Sequence, residues 1–375
     1  MFVFGTRPEA IKMAPLIHSL KAQSDFFDVT VCVTAQHRQM LDQTLKVFDI
    51  LPDFDLNIMR PQQDLYDVTT SVLLGLRDLF AKNKPDFVLV HGDTTTTFAT
   101  AIACFYSRIK ICHVEAGLRT HNIFAPYPEE FNRQVAAKVM NWHFAPTKLS
   151  RANLLAEGVS DQLITVTGNT VIDAIKWILN RFEDQPARLI KVEAKIDELL
   201  SFDWRNERFI LITGHRRENF GSGFIEICEA LRELALSFKE VHFVYPVHMN
   251  PNVQRPVYSI LAGSPNIHLI SSLDYEPFVY LLKHSYFVLT DSGGIQEEAP
   301  SLGKPVLVLR ELTERPEAVD AGTVKLVGSK KQSIVSGVAK LLSSGDEYIM
   351  MARALNPYGD GHACERIIKI LKDLE

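Results

Sequence analysis

Tyr286-Phe-Val-Leu-Thr290, Asp291-Ser-Gly-Gly294, Ile295-Gln-Glu-Glu-Ala299 and Pro305-Val-Leu-Val-Leu309 lie in one stretch of the chain, and their reading decides the fold. The first run is apolar, β-branched and aromatic, the second breaks it, the third has helix-forming composition, and the fourth is apolar again. This is strand, glycine turn, helix, strand. Two adjacent glycines let the backbone approach a ligand closely, and the free N–H groups of a following helix favour an anion such as phosphate. Glu298, about one helical turn further on, is placed to take the hydroxyls of an attached ribose. An ordinary glycine-capped turn would read the same way locally.

Working outward, the unit recurs. Phe2-Val-Phe4 ends a strand, Gly5-Thr-Arg-Pro-Glu9 is a loop, and Ala10–Ala22 reads as a helix beginning just after proline. Val29–Val33, Phe87–Val90 and Lys110–Val114 are further strands, each followed by a polar turn. Arg181–Glu207 turns charged and loses this rhythm. It then restarts, with strands at Phe209–Thr213, Val241–Tyr245, Ile267–Ile270, Tyr286–Thr290, Val306–Leu309 and Val324–Val327. Alternating strands and helices predict parallel sheets covered on both faces, with ligands outside the carboxyl ends of the strands. The expected division is residues 1–168 and 169–361, with a closing helix in 362–375 packing back on the first domain. Two such domains would face each other across a cleft.

Length and composition set limits. A chain of 375 residues suits two domains, and 46% hydrophobic with 23% charged residues is ordinary for a globular protein. A net charge of −5 disfavours a general nucleic-acid or membrane-surface binder. No apolar run approaches the about 20 residues of a membrane span, so the protein is expected in the cytoplasm. Cys32, Cys104, Cys112, Cys228 and Cys364 are odd in number and widely spaced, as reduced core residues are.

Polar residues cluster at predicted strand ends: Arg7, Glu9 and Lys12; His91 and Asp93; His113 and Glu115; Glu129, Glu130 and Arg133; His215, Arg216, Arg217 and Glu218; Arg310, Glu314 and Arg315. Each has a plainer reading. Asp93 can cap the helix opened by Thr94-Thr-Thr-Thr97, and Glu129 and Glu130 can complement a helix dipole. His215 can be a solvated turn residue. His91-x-Asp93 and His113-x-Glu115 have a metal-ligand look that leaves a divalent-ion hydrolase open.

The segments Gly5-Thr-Arg-Pro-Glu-Ala-Ile-Lys-Met-Ala-Pro15, Thr34-Ala-Gln-His-Arg38, His91-Gly-Asp-Thr-Thr-Thr-Thr97, His113-Val-Glu-Ala-Gly-Leu-Arg119, Pro128-Glu-Glu-Phe-Asn-Arg133, Gly214-His-Arg-Arg-Glu-Asn219, Thr290–Gly303 and Thr313-Glu-Arg-Pro-Glu317 together resemble the bacterial non-hydrolysing UDP-N-acetylglucosamine 2-epimerases. The resemblance runs in order over nearly the whole chain. It implies two Rossmann-like domains in a GT-B-like arrangement, a homodimer, no cofactor and no resident metal. It implies conversion of UDP-N-acetylglucosamine to UDP-N-acetylmannosamine by elimination and re-addition of UDP, feeding cell-surface polysaccharide synthesis. Asp93, Glu115, Glu129 and His215 would be the catalytic groups. Arg7, Lys12, Phe278, Ser292, Gly293, Gly294, Glu298 and Arg315 would bind substrate, with Asp93, Glu115 and His215 also touching it. Gln36, His37, Gln39, Arg217 and His248 resemble positions that hold a second, activating UDP-N-acetylglucosamine. Leu273 departs from relatives that carry a polar residue there. A GT-B glycosyltransferase and a non-catalytic nucleotide-sugar sensor remain the rival readings.

Overall fold

The structure is a computed structural model that describes residues 1–374. The chain forms two α/β units, one of residues 1–177 together with the chain from Tyr358 onward, the other Ile178–Pro357. In the first unit β1 (Phe2–Phe4), α1 (Arg7–Lys21), β2 (Val31–Val33), α2 (Arg38–Val47), β3 (Phe54–Asp55) and α3 (Leu65–Phe80) come first. They are followed by β4 (Phe87–His91), α4 (Thr95–Ser107), β5 (Lys110–Val114), α5 (Glu129–Ala137), β6 (Trp142–Ala145), α6 (Lys148–Ala156), β7 (Ile164–Val166) and α7 (Thr170–Asp184). The division from the second unit falls inside α7.

The second unit continues with α8 (Pro186–Leu199), β8 (Phe209–Thr213), α9 (Ser222–Ser237), β9 (His242–Val247), α10 (Pro251–Leu261), β10 (Ile267–Ser271) and α11 (Tyr275–His284). Then come β11 (Phe287–Thr290), α12 (Ile295–Ser301), β12 (Val306–Val308), α13 (Pro316–Asp320), β13 (Val324–Leu326), α14 (Lys331–Ser343) and α15 (Gly345–Arg353). The last helix, α16 (Ala363–Lys372), belongs to the first unit and packs against α1.

All the strand pairs are parallel. The first sheet runs β3-β2-β1-β4-β5-β6-β7 and the second β10-β9-β8-β11-β12-β13, the same winding twice. The strand order reverses between β1 and β4 and again between β8 and β11. In sheets of this kind the crevice at that reversal is where ligands go. Val3, Val31, Val88 and Val90 are fully buried or nearly so, as strands covered on both faces require, and the second unit buries Ile210, Ile212, Phe243 and Leu289 in the same way.

Three local expectations change. Helix α1 starts at Arg7 and takes Pro8 into its first turn, where the missing N–H has no partner to lose. Strands β3 and β6 were not read from the sequence: β3 has two residues, and Trp142-His-Phe-Ala145 carries a histidine in its centre. Thr94, not Asp93, caps α4, its hydroxyl accepting from the Thr97 N–H at 3.1 Å. Asp93 is thereby released from the capping role.

His91, His113 and His143 sit on neighbouring strands β4, β5 and β6, each at most 3% exposed. Burial holds their pKa values down, to about 4, about 4 and about 3. Each therefore stays neutral when folded but takes up a proton when unfolded below pH ~6.5, so stability is full above that pH and declines as pH falls toward 4. Between pH 6.5 and 5 each ring is expected to cost on the order of 2 kcal/mol. The check is thermal unfolding across that interval in the native chain and in His143→Leu. The variant should show the shallower decline, and parallel declines would mean that the ring is not held neutral.

Candidate active site

At the strand reversal of the first unit, Glu9 is 1% exposed and organises two loops at once. Its Oε2 accepts from the N–H groups of Gly5 (3.0 Å) and Thr6 (2.8 Å) and from the Thr6 hydroxyl (2.8 Å). Its Oε1 accepts from Thr94 Oγ1 at 2.7 Å. Burial pushes this carboxyl above its ordinary value, and the hydrogen bonds oppose that shift. Gly5 is required here, because a Cβ would lie 2.6 Å from Thr96 Oγ1. The loop after β1 is thus fastened to the loop after β4, which carries Asp93.

Asp93 follows Gly92, whose φ of +63° turns the chain, and its carbonyl accepts from Asn132 Nδ2 at 2.9 Å. The Asp93 carboxylate lies 3.4 Å from Arg133, and 30% of its side chain is open. The protein around it nevertheless raises its pKa, desolvation first and the charges of Glu115 and Glu129 adding, while Arg133 and Lys12 pull it down. Glu115, just after β5, adopts a left-handed backbone at φ +63°, unusual for a residue with a side chain. Its Oε2 accepts from Lys12 and from Asn169 Nδ2 (2.7 Å), and His91 Nε2 lies 3.8 Å away.

The paired acids of α5 separate cleanly. Glu130 is fully buried and accepts from the N–H groups of Thr120 (3.0 Å) and His121 (3.2 Å), so it holds the preceding loop. Glu129 is half-buried and has no such engagement. Arg7 is half-buried and makes no ion pair among the described residues. His113 Nε2 bonds the Gly92 carbonyl at 2.7 Å, so one of its two nitrogens is committed to backbone. No group of three or more His, Cys, Asp or Glu able to hold a metal occurs among the described residues.

In the second unit the fully buried Asp291 plays the organising part. Its carboxylate accepts from the N–H groups of His215 (2.9 Å) and Arg216 (2.8 Å), tying the loop after β8 to the loop after β11. His215 keeps 43% of its side chain exposed. Its pKa is lowered by burial first, with the Asp291 charge opposing and His248 and Arg216 adding. Its ring stacks on His248 with centroids 5.1 Å apart. Two arginines approach Gly293: a Cβ built there would lie 3.6 Å from Arg216 Nη2 and 4.0 Å from Arg315 Nη2. Arg216 Nε is buried with no partner, while Arg315 pairs with the fully buried Glu297. Ser292, Gly294 and Glu298 are half-buried beside it on the same turn and helix. Phe278 is half-buried on α11, and Leu273 is buried.

Of the residues expected for a second nucleotide sugar, His37, Gln39, Arg217 and His248 are exposed. Gln36 is half-buried and accepts from Thr96 Oγ1 at 3.1 Å. Sequence reasoning missed the parts played by Asn169 and Arg216. Arg216 stood in a noted cluster, but nothing in the string tells which of two adjacent arginines turns toward Gly293. Asn169 had only its place after a strand and a glycine as a signal.

The family model described as UDP-N-acetylglucosamine 2-epimerase matches residues 18–372. A UDP-N-acetylglucosamine 2-epimerase of Campylobacter jejuni is 56% identical over 371 residues, covering 99% of this chain and 96% of the relative. One from Escherichia coli K12 is also 56% identical, covering 99% and 97%. Among solved structures, the UDP-GlcNAc 2-epimerase of Neisseria meningitidis bound to UDP-GlcNAc superimposes with a TM-score of 0.91 at 50% identity, with 99% of each chain covered. That of Methanocaldococcus jannaschii in complex with UDP-GlcNAc and UDP gives 0.82 at 31% identity, again with 99% of each chain covered. With a family model spanning most of its length and relatives this similar over 99% of it, the chain belongs to the UDP-N-acetylglucosamine 2-epimerase family.

Proposed function

We propose that the protein interconverts UDP-N-acetylglucosamine and UDP-N-acetylmannosamine by eliminating UDP and adding it back. The hydrogen on carbon 2 of the sugar has no adjacent carbonyl and is not acidic, so direct deprotonation is slow. Breaking the carbon 1 to oxygen bond gives carbon 1 cationic character while a base takes the carbon 2 proton, and 2-acetamidoglucal and UDP result. A proton delivered to the opposite face of carbon 2, with the carbon 1 to oxygen bond re-formed, gives the epimer.

The observation that carries this reading is the group of carboxylates in the first unit, in which Asp93 is pushed up by burial and by its neighbours Glu115 and Glu129. A carboxyl raised in this way holds a proton more readily than a free one, as a proton-transfer group must, and neighbouring carboxylates stabilise a developing oxocarbenium ion. Asp93, Glu115, Glu129 and His215 are the acid/base and charge-stabilising groups. In the second unit Arg216 and Arg315 flank Gly293 as a clamp for the departing diphosphate, with Ser292 and Gly294 beside it. Glu298 takes the ribose hydroxyls and Phe278 packs on uracil, while Arg7 and Lys12 position the substrate. A pure binder would gain nothing from placing several carboxylates near an anionic ligand.

In finer detail, the protein is read as a cytoplasmic homodimer supplying cell-surface polysaccharide synthesis. Gln36, His37, Gln39, Arg217 and His248 take a second UDP-N-acetylglucosamine. That expectation is checked by initial rates, which should be sigmoidal in UDP-N-acetylglucosamine; a hyperbola would remove the second molecule.

Two further outcomes follow from the assigned roles. Product formed in deuterium oxide should carry deuterium at carbon 2 from the first turnover, read by NMR; product retaining its original hydrogen would overturn the elimination route, and transfer to an acceptor would show a glycosyltransferase instead. Glu298→Gln, Arg315→Ala and Arg216→Ala should each weaken UDP binding by about 1.5–3 kcal/mol, about 10- to 100-fold, in calorimetric titration of folded protein. Unchanged affinity in all three would remove the clamp as the nucleotide site.

A further inference from the structure

Glu115 owes its placement to a residue far away in sequence. Asn169 is 2% exposed, and each of its polar groups has a defined partner. Its Nδ2 donates to Glu115 Oε2 at 2.7 Å, its Oδ1 accepts from the Val171 N–H at 3.1 Å, and its own N–H donates to the Tyr358 carbonyl at 2.7 Å. Gly168 and Gly359 stand back to back beside it, and a Cβ on Gly359 would lie 3.2 Å from the Gly168 Cα. The segment that leaves the first unit and the segment that returns to it therefore meet at this asparagine.

We infer that Asn169 is a positioning residue for the proposed epimerisation, holding the Glu115 carboxylate in place. The inference rests on the reading of the reaction given above. The charged groups facing Glu115 are Lys12 from α1, His91 and Asp93 from the end of β4, and His113 from β5 itself. Both histidines stay neutral near pH 7 and Asp93 is a like charge, whereas Lys12 and Asn169 both donate to Glu115. These two differ. An ammonium on a flexible stem is drawn toward any incoming anion, whereas a neutral amide pinned on both sides through its backbone is not. Asn169 keeps its hold on Glu115 when a diphosphate engages Lys12. Glu115 then acts as a fixed negative charge against the cationic carbon 1, and the proton transfers fall to its neighbours.

Asn169→Asp tests this, because it keeps the size and the acceptor for Val171 N–H while replacing the donor to Glu115 with a second carboxylate. The expected result is a kcat lowered about 10- to 100-fold with KM little changed. The acidic limb of the kcat profile should move to higher pH, since losing a donor and gaining a like charge both favour protonated Glu115. Carboxyl carbon NMR of glutamate-labelled protein, with Glu115 assigned through Glu115→Gln, should show its titration moving the same way. An Asn169→Asp enzyme with native kcat, native acidic limb and native Glu115 titration overturns the inference. If that variant fails to fold, Asn169→Ser carries the same readouts. A native chain that turns over no UDP-N-acetylglucosamine would defeat the functional reading instead, and the NMR titration would still report on the contact.

Discussion

In a parallel sheet every strand ends on the same edge, and the rest of this protein depends on that. Each crossover helix brings the chain back to start the next strand, so the turns after β1, β4 and β5 gather on one side, as do those after β8 and β11. Residues scattered through the sequence, such as Lys12, Asp93, Glu115 and Asn169, become neighbours without any long loop reaching for another. The six strands of the second sheet repeat the winding of the first, yet different side chains stand at the two reversals. Asp93 and Glu115 lie near Arg133 and Lys12 in the first unit, while Arg216 and Arg315 approach Gly293 in the second.

Buried carboxylates do the structural part of that arrangement. Glu9, after β1, and Asp291, after β11, each close the two loops at a strand reversal, Glu9 through the N–H groups of Gly5 and Thr6 and the Thr94 hydroxyl, Asp291 through the N–H groups of His215 and Arg216. A carboxylate already bonded to these N–H groups leaves fewer of them to an incoming phosphate. The first unit has little else to offer an anion there besides Arg7 and Lys12. In the second unit Asp291 takes the Arg216 N–H, while the side chains of Arg216 and Arg315 reach toward Gly293.

Much of this was legible in the sequence. Alternating apolar runs and turns gave the parallel sheets, and the glycine pair at 293–294 marked where backbone comes close to other groups. Proximity in sequence was less reliable. Asp93 and Thr94 compete for one cap, and only the backbone geometry assigns it to Thr94. Glu129 and Glu130 are adjacent acids of which one is buried in a loop anchor and the other is half open. Asn169 was out of reach because its partners are Glu115 and Tyr358, and no local pattern encodes contacts over such separations. Strand β3 has only two residues, too few to show a period, and β6 carries a histidine where an apolar run would have marked it.

The second unit is an insertion between Trp177 and Tyr358 of the first. During synthesis the ribosome therefore delivers all of the second unit before Tyr358 and α16 emerge. Until then the asparagine beside Glu115 lacks its backbone anchor, and α1 lacks the helix that covers it. A chain interrupted between residues 315 and 358 contains every residue assigned to the chemistry, yet lacks the Tyr358 carbonyl that anchors Asn169. The stretch that begins at Tyr358, made after the whole of the second unit, thus supplies the backbone partner of the asparagine beside Glu115.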